Sequence, residues 1–387
     1  MESVSAMSPK KILMVAGEAS GDLHGALLME AIRSLQPETL FFGVGGEEME
    51  RMGLRTLYRA QSLSVVGITE VLFRAGSLVG ALRTLRSFLE RENPELVILI
   101  DFPDFNFRVA RMAHRRGIPV LYYISPQVWA WRAGRVKQLA RWVRKMIVLF
   151  PFEVPIYERA GVDVTWVGHP LLDLVKPTFS KEEACKRFGL EPEERTVGLL
   201  PGSRVHEVKR LLPRLLGAAR LMKEELPKLQ FVIPRASGIP EGMISKETEA
   251  AAISVRVVER HPYDVMNLCD LLITASGTAT LEGAILGKPM VIVYRVSKLS
   301  YWIGRALIRV EHIGLVNLIS GRRVAPELIQ EEASPERIAA EGLRILRDPR
   351  LYGEMSEAMM KVREALGPPG AAKRAGQIVC RLLESPG

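Results

Sequence analysis

Short apolar runs, each followed by a turn bearing Gly, Ser or Asp and then by a helical stretch, recur along the whole of this 387-residue chain. No other feature constrains the fold as strongly. Strands joined through helices by short connections pair in parallel, and a parallel sheet is stable only with both faces covered. In the first half the runs are 11–16, 41–44, 96–100, 120–124, 145–150 and 162–167. Leu78, Leu82, Leu85 and Leu89 mark one helical face over 78–90, and a helix over 109–116 closes at Gly117. The second half repeats the pattern with runs at 196–200, 229–233, 253–258, 270–274 and 290–294. Its helices are expected over 208–225, interrupted at Pro213, and over 280–286, stopping at Gly287.

A chain of this length exceeds one ordinary core, so two doubly wound α/β lobes are expected, 9–172 and 173–354, joined near 171–177. Helical patterning from Pro335 onward allows C-terminal helices, about 355–387, to pack back on the first lobe. With 48% hydrophobic and 25% charged residues, the composition is that of a folded domain rather than a disordered chain. Cys185, Cys269 and Cys380 lie far apart, which excludes a disulfide framework or a cysteine zinc knuckle and fits a reducing compartment. No apolar stretch is long enough to span a bilayer, and residues 1–10 lack a signal-peptide pattern, so a soluble or peripheral protein is expected. The net charge of +9 favours an anionic partner: nucleic acid, a phosphorylated substrate or an anionic membrane surface. A merely solvated basic surface explains it equally well.

In an open parallel sheet, ligands gather beyond the carboxyl ends of the strands, so the turns there are where chemistry is expected. After 196–200 come Gly202, Ser203 and Arg204, with Glu207 a turn later. Glycine admits close backbone approach, hydroxyl and free N–H groups at a helix start suit phosphate oxygens, and arginine adds a permanent bidentate cation. After 270–274, Ser276, Gly277 and Thr278 crowd the start of another helix, and Glu282 follows within reach of a ribose diol. Each turn alone also reads as an ordinary helix cap; two neighbouring strand ends together suit a diphosphate. In the first half, Gly17, Glu18, Ala19, Ser20, Gly21 and Asp22 match neither a dinucleotide fingerprint nor a P-loop. Their two carboxylates suit sugar hydroxyls, although Asp22 equally fits a helix N-terminal carboxylate. Asp101 ends the 96–100 run, the position of a catalytic base, whereas Asp104 and Asn106 are the residues to fix that turn. Trp129 and Trp131 share a loop with Gln127 and Arg132, a binding wall as readily as core. No residue cluster has metal-ligand spacing, and no cofactor is implied.

Taken together, 17–22, 101–106, 125–132, 168–170, 201–204 with Glu207, 276–282, and 317–319 with Pro326 and Glu327 resemble the lipid-A-disaccharide synthases, a family of GT-B glycosyltransferases. Val316 departs from the proline that the family usually has before its asparagine. The resemblance implies two Rossmann-like lobes with a cleft between them and an inverting, metal-independent transfer. UDP-2,3-diacylglucosamine would donate to 2,3-diacylglucosamine 1-phosphate, giving a β-1,6-linked disaccharide 1-phosphate and UDP. It also implies roles: Asp101 as base, Arg204 and 276–278 on the departing UDP, Glu282 on the ribose. Glu18, Ser20, Gly21, Asp22, Asn106, Gln127 and Asn317 would lie about the sugars. Acylated substrates imply a peripheral place on the cytoplasmic face of the inner membrane. Two basic amphipathic segments are candidates for that contact, 73–89 with Arg74, Arg83 and Arg86, and 300–310 with Arg305 and Arg309. A homo-oligomer is compatible with all of this. Two other readings compete: a related UDP-sugar epimerase, which shares the diphosphate turns, and a basic nucleic-acid-binding protein, which explains the charge but not the turns.

Overall fold

The computed structural model describes residues 9–60, 71–126, 135–297 and 312–384, and these fall into two compact units. The first holds the chain up to Pro170 and from Pro368 onward; the second runs from Leu171 to Gly367.

In the first unit, β1 (Lys11–Ala16), β2 (Leu40–Gly45), β3 (Arg55–Arg59), β4 (Leu96–Ile100), β5 (Val120–Tyr123), β6 (Lys145–Val148) and β7 (Val164–Trp166) form one parallel sheet. The order is β3-β2-β1-β4-β5-β6-β7. Every residue of β4 is buried, as expected of a strand with helices on both faces. The chain builds outward from β1 to β3, then crosses to β4 and builds the other way, so the order reverses between β1 and β4. The Ala19–Leu35 helix packs on the sheet, and the Ala371–Glu384 helix packs against that helix. The crossing is close: a Cβ on Gly376 would lie 2.9 Å from Ala31 Cβ.

The second unit contains β8 (Thr196–Leu200), β9 (Gln230–Arg235), β10 (Arg256–Glu259), β11 (Leu271–Ala275), β12 (Met290–Tyr294) and β13 (Glu327–Ile329). They pair in parallel in the order β10-β9-β8-β11-β12-β13, with the reversal between β8 and β11. The Val205–Glu225 helix continues through Pro213 rather than stopping there. An interior proline costs roughly 3 kcal/mol. Leu211, Leu212, Leu215 and Leu216 flank it, all at 3% exposure or less. Burying each contributes about 1.5–3 kcal/mol, so packing outweighs the lost backbone bond.

Among the C-terminal helices, Pro349–Ala365 stays with the second unit, where Met290 N–H donates to Met355 Sδ at 3.4 Å and Ser356 Oγ donates to Gly287 O at 2.8 Å. Only Ala371–Glu384 returns to the first. Arg374 marks the return: its Nε and Nη2 donate to Val167 O at 2.9 and 2.6 Å. The same guanidinium donates to Pro369 O and Pro368 O, at 2.7 and 2.6 Å, so one side chain joins the outgoing and returning segments of the chain.

Candidate active site

Each pair of chemistry-bearing turns sits at the reversal point of its own sheet. In the second unit, β11 pairs with β8 with Thr274 opposite Leu200, so 201–204 and 275–278 leave adjacent strand ends. Gly202 has φ +111°, and a Cβ there would lie 2.5 Å from Glu207 Oε2. Only glycine therefore lets the Glu207 carboxylate fold beneath the turn. Arg204 donates its backbone N–H to Glu207 Oε2 at 3.3 Å, and its Nη1 lies 3.5 Å from Glu207 Oε1. The Arg204 side chain remains 56% exposed.

At the neighbouring turn, Ser276 N–H donates to Val293 O at 3.1 Å, and its hydroxyl donates to Ile313 O at 3.2 Å. Gly277 opens the Thr278–Ile285 helix at φ +156°, and a Cβ built on it meets nothing within 4 Å. The first N–H groups of a helix lack the acceptor one turn back; here Thr280 N–H donates to Gly277 O at 3.1 Å. Thr280 Oγ1 donates to Gly277 O at 2.7 Å and stiffens the turn from within. One helical turn on, burial pushes the Glu282 carboxyl up to about 7. Tyr263 stands nearby on the Pro262–Leu268 helix; burial, then the charge of Glu282, push its phenol up to about 12. Sequence does not single out Tyr263, because a lone Tyr in a short helix carries no periodic or turn signal.

In the first unit β4 pairs with β1, Ala16 opposite Ile100, which sets 17–22 beside 101–106. Asp101 and Phe102 are both left-handed, at φ +44° and +46°. Non-glycine residues in that region cost about 1–3 kcal/mol each and persist only where their surroundings over-determine them. Here the Asp101 carbonyl accepts Tyr122 Oη–H at 2.6 Å and Asn106 Nδ2–H at 2.8 Å. Phe102 is seated over Gly17, where a Cβ would lie 2.3 Å from its ring. The half-buried Asp101 side chain is thereby aimed by a fixed backbone. The hold of Tyr122 on the Asp101 carbonyl is not legible in the sequence, since a tyrosine inside an apolar strand reads as core. The Tyr122 phenol is pushed well above its ordinary value by burial and by the Asp101 charge.

Several residues expected at the sugars are engaged elsewhere. Asp22 is 6% exposed. Its carboxylate accepts Gly46 N–H at 2.7 Å, Glu48 N–H at 3.0 Å and Met49 N–H at 3.2 Å, capping the Glu47–Arg51 helix. Asn106 is fully buried and directs its amide N–H groups at the carbonyls of Ile100 and Asp101. Asn317, also fully buried, accepts Val324 N–H and Ala325 N–H on Oδ1, at 2.7 and 2.9 Å. Its Nδ2 donates to Ala325 O at 2.9 Å and Glu327 Oε1 at 2.7 Å. Two donors and two lone pairs are then occupied, leaving nothing for a substrate. Gly21 packs against β1 and β4, where a Cβ would lie 3.5 Å from Ala16 Cβ and 3.6 Å from Ile100 Cγ2, an ordinary contact. Glu18, half-buried at the helix start, and Ser20, exposed, remain at the turn after β1. His169 is buried against the rings of Phe150 and His24, and burial lowers its pKa to about 3. Gln127, Trp129, Trp131, Arg132 and the 300–310 segment lie outside the described residues.

The Val71–Glu92 helix turns Leu85, Phe88 and Leu89 into the core and packs Leu78 and Leu82 against it; Val79 is exposed beside Arg83 and Arg86. Its described apolar face therefore packs into the core of the first unit; the side chains of Phe73 and Arg74 lie outside the described residues. Among the described residues no helix is long and apolar enough to cross a membrane, and no cluster of His, Cys, Asp and Glu is arranged to hold a metal ion.

Two Rossmann-like units, each with its polar turns at the sheet's reversal point, define the class: the GT-B fold of nucleotide-sugar glycosyltransferases and epimerases. The UDP-GlcNAc 2-epimerase of Neisseria meningitidis, solved with UDP-GlcNAc bound, matches at TM-score 0.63 and 14% identity over 97% of this chain and 100% of its own. MurG of Acinetobacter baumannii matches at TM-score 0.59 and 16% identity, over 96% and 100%. Within that class the chain belongs to the lipid-A-disaccharide synthase family: the family model described as lipid-A-disaccharide synthetase matches residues 12–381. The lipid-A-disaccharide synthase of Geobacter sulfurreducens is 51% identical over 374 residues, 96% of this chain and 97% of the relative. The chain is thus a glycosyltransferase of lipid A disaccharide synthesis, acting on lipid A precursor sugars.

Proposed function

We propose that the enzyme transfers the 2,3-diacylglucosamine unit of its UDP derivative to 2,3-diacylglucosamine 1-phosphate with inversion, Asp101 acting as general base. The acceptor's primary hydroxyl attacks the anomeric carbon and gives its proton to Asp101. The bond from that carbon to the diphosphate oxygen breaks, and UDP departs. Arg204 and the N–H groups at Gly277 and Thr278 meet the negative charge that grows on the diphosphate. Because the Ser276 N–H donates to Val293 O and its hydroxyl to Ile313 O, Ser276 serves by shaping the turn. Glu282 accepts the ribose hydroxyls, and Gly202 and Ser203 bring the β8 turn close to the phosphates. Glu18 and Ser20, at the turn after β1, meet a sugar hydroxyl.

The observation that carries this reading is the position of both diphosphate turns at one sheet's reversal point and of Asp101 at the other's. The strained, doubly held backbone at Asp101 adds to it, since such geometry collects where a side chain must be aimed. The acyl chains on both sugars give the enzyme a peripheral place on the cytoplasmic face of the inner membrane. Mass spectrometry after supplying both acylated sugars tests the reaction: the disaccharide 1-phosphate and UDP should appear in equal amounts. An epimerised UDP-sugar with no disaccharide would replace the proposal with an isomerase.

A further inference from the structure

Glu327, the first residue of β13, is a buried carboxylate, 8% exposed, with no place in the scheme above. Its Oε1 accepts Gly314 N–H at 2.9 Å and Asn317 Nδ2–H at 2.7 Å, and its Oε2 accepts Ile313 N–H at 3.1 Å. An ionised carboxylate is acceptor-only, which matches a set made wholly of donors. The N–H of Gly314 and the C=O of Ile313 belong to one peptide plane, and that carbonyl accepts the Ser276 hydroxyl at 3.2 Å. One amide is therefore held at both ends, by Glu327 on its N–H and by Ser276 on its oxygen. A negative charge on the N–H side polarises the amide and strengthens its oxygen as an acceptor. The strut is tightly seated: a Cβ on Gly314 would lie 2.5 Å from Ile292 Cδ1 and 3.1 Å from Glu327 Oε1. Asn317 orients the carboxylate and, through Val324 and Ala325, fixes the chain that leads into β13.

We infer that Glu327, braced by Asn317, is a positioning residue for the donor's diphosphate, setting the Ser276–Thr278 turn through the Ile313–Gly314 peptide. The inference rests on the reading of that turn as the diphosphate site. A buried anion behind a phosphate site opposes the ligand's charge, so its contribution is geometric: it keeps the Ser276 hydroxyl turned to Ile313 and the helix N–H groups turned outward.

A double-mutant cycle on the full chain tests this, with UDP affinity from calorimetry and the KM for the acylated acceptor measured in parallel. Glu327→Gln replaces one acceptor oxygen by a donor, and about a tenfold loss of UDP affinity with an unchanged acceptor KM is expected. Ser276→Ala should lose a similar factor, and the double variant little more than either single one, because both act through one peptide. Should Glu327→Gln fail to fold, Glu327→Asp, which keeps the acceptors on a shorter arm, carries the same cycle. UDP affinity within twofold of the parent in the folded Glu327 variant overturns the inference, as does a double variant whose losses simply multiply. Unchanged UDP affinity in Ser276→Ala overturns the diphosphate reading of the turn itself, which separates the two failures.

Discussion

As the proposed acceptor of the ribose hydroxyls, Glu282 ties the donor site to pH. Burial raises its carboxyl to about 7, so near neutrality only about half of the molecules carry the ionised form that the proposed contact requires. Ionisation rises with pH, and binding that requires it strengthens in the same direction. With a pKa of about 7, roughly one site in eleven is ionised at pH 6 and ten in eleven at pH 8, so UDP-sugar affinity should improve about tenfold across that window. Calorimetric titration of a UDP-sugar, whose diphosphate does not itself titrate there, makes the measurement. Glu282→Gln should flatten the profile, and a flat profile in the parent protein would remove Glu282 from the ribose. At this scale the sequence marks positions better than partners. Asp22, Asn106 and Asn317 are polar residues at or near the right turns, yet their partners are the protein's own N–H and C=O groups. Asn106 fixes its own turn, as its place there suggests, whereas Asp22 reaches Gly46, 24 residues on, and Asn317 reaches Val324 and Ala325, 7 and 8 residues on. Nothing in the sequence marks those last pairings, since a buried backbone group takes a side-chain partner as readily as a ligand does.

Among the elements, strands buried on both faces were legible because their apolar runs are continuous; β4 reads Leu-Val-Ile-Leu-Ile and β8 Thr-Val-Gly-Leu-Leu. The edges were not. β3 is Arg-Thr-Leu-Tyr-Arg with exposed ends, and β13 has three residues, so neither shows a run to detect. β10 begins at Arg256, later than the apolar pattern from residue 253 implies, because only its pairing with β9 defines it. The Glu47–Arg51 helix is too short for periodicity and depends on Asp22 for its N-terminus. Asp22→Ala leaves those donors without an acceptor and should destabilise the first unit by about 2–3 kcal/mol. Urea unfolding should show a lower midpoint while UDP affinity stays unchanged. A variant of unaltered stability with a raised KM for the acceptor would return Asp22 to the sugar.

For the whole molecule, the repeated alternation of apolar runs and helical stretches is enough to specify two Rossmann-like sheets, and the reversal points follow once the strand order is known. The point where the chain re-enters the first unit is not legible in the same way, since helical pattern alone does not say which core a helix joins. Ser356 and Met355 hold one C-terminal helix in the second unit, while Arg374 and Gly376 hold the next in the first. The proposed mechanism divides the chemistry between the units: the second grips the leaving UDP, and the first supplies the base. That division is tested most directly by the turnover and UDP affinity of Asp101→Asn. The amide keeps the shape of the side chain but cannot take the proton, so turnover should fall by about a hundredfold to ten-thousandfold, the usual worth of a general base. UDP should bind as it does to the parent protein. Turnover close to the parent's would contradict the mechanism and remove Asp101 from the reaction.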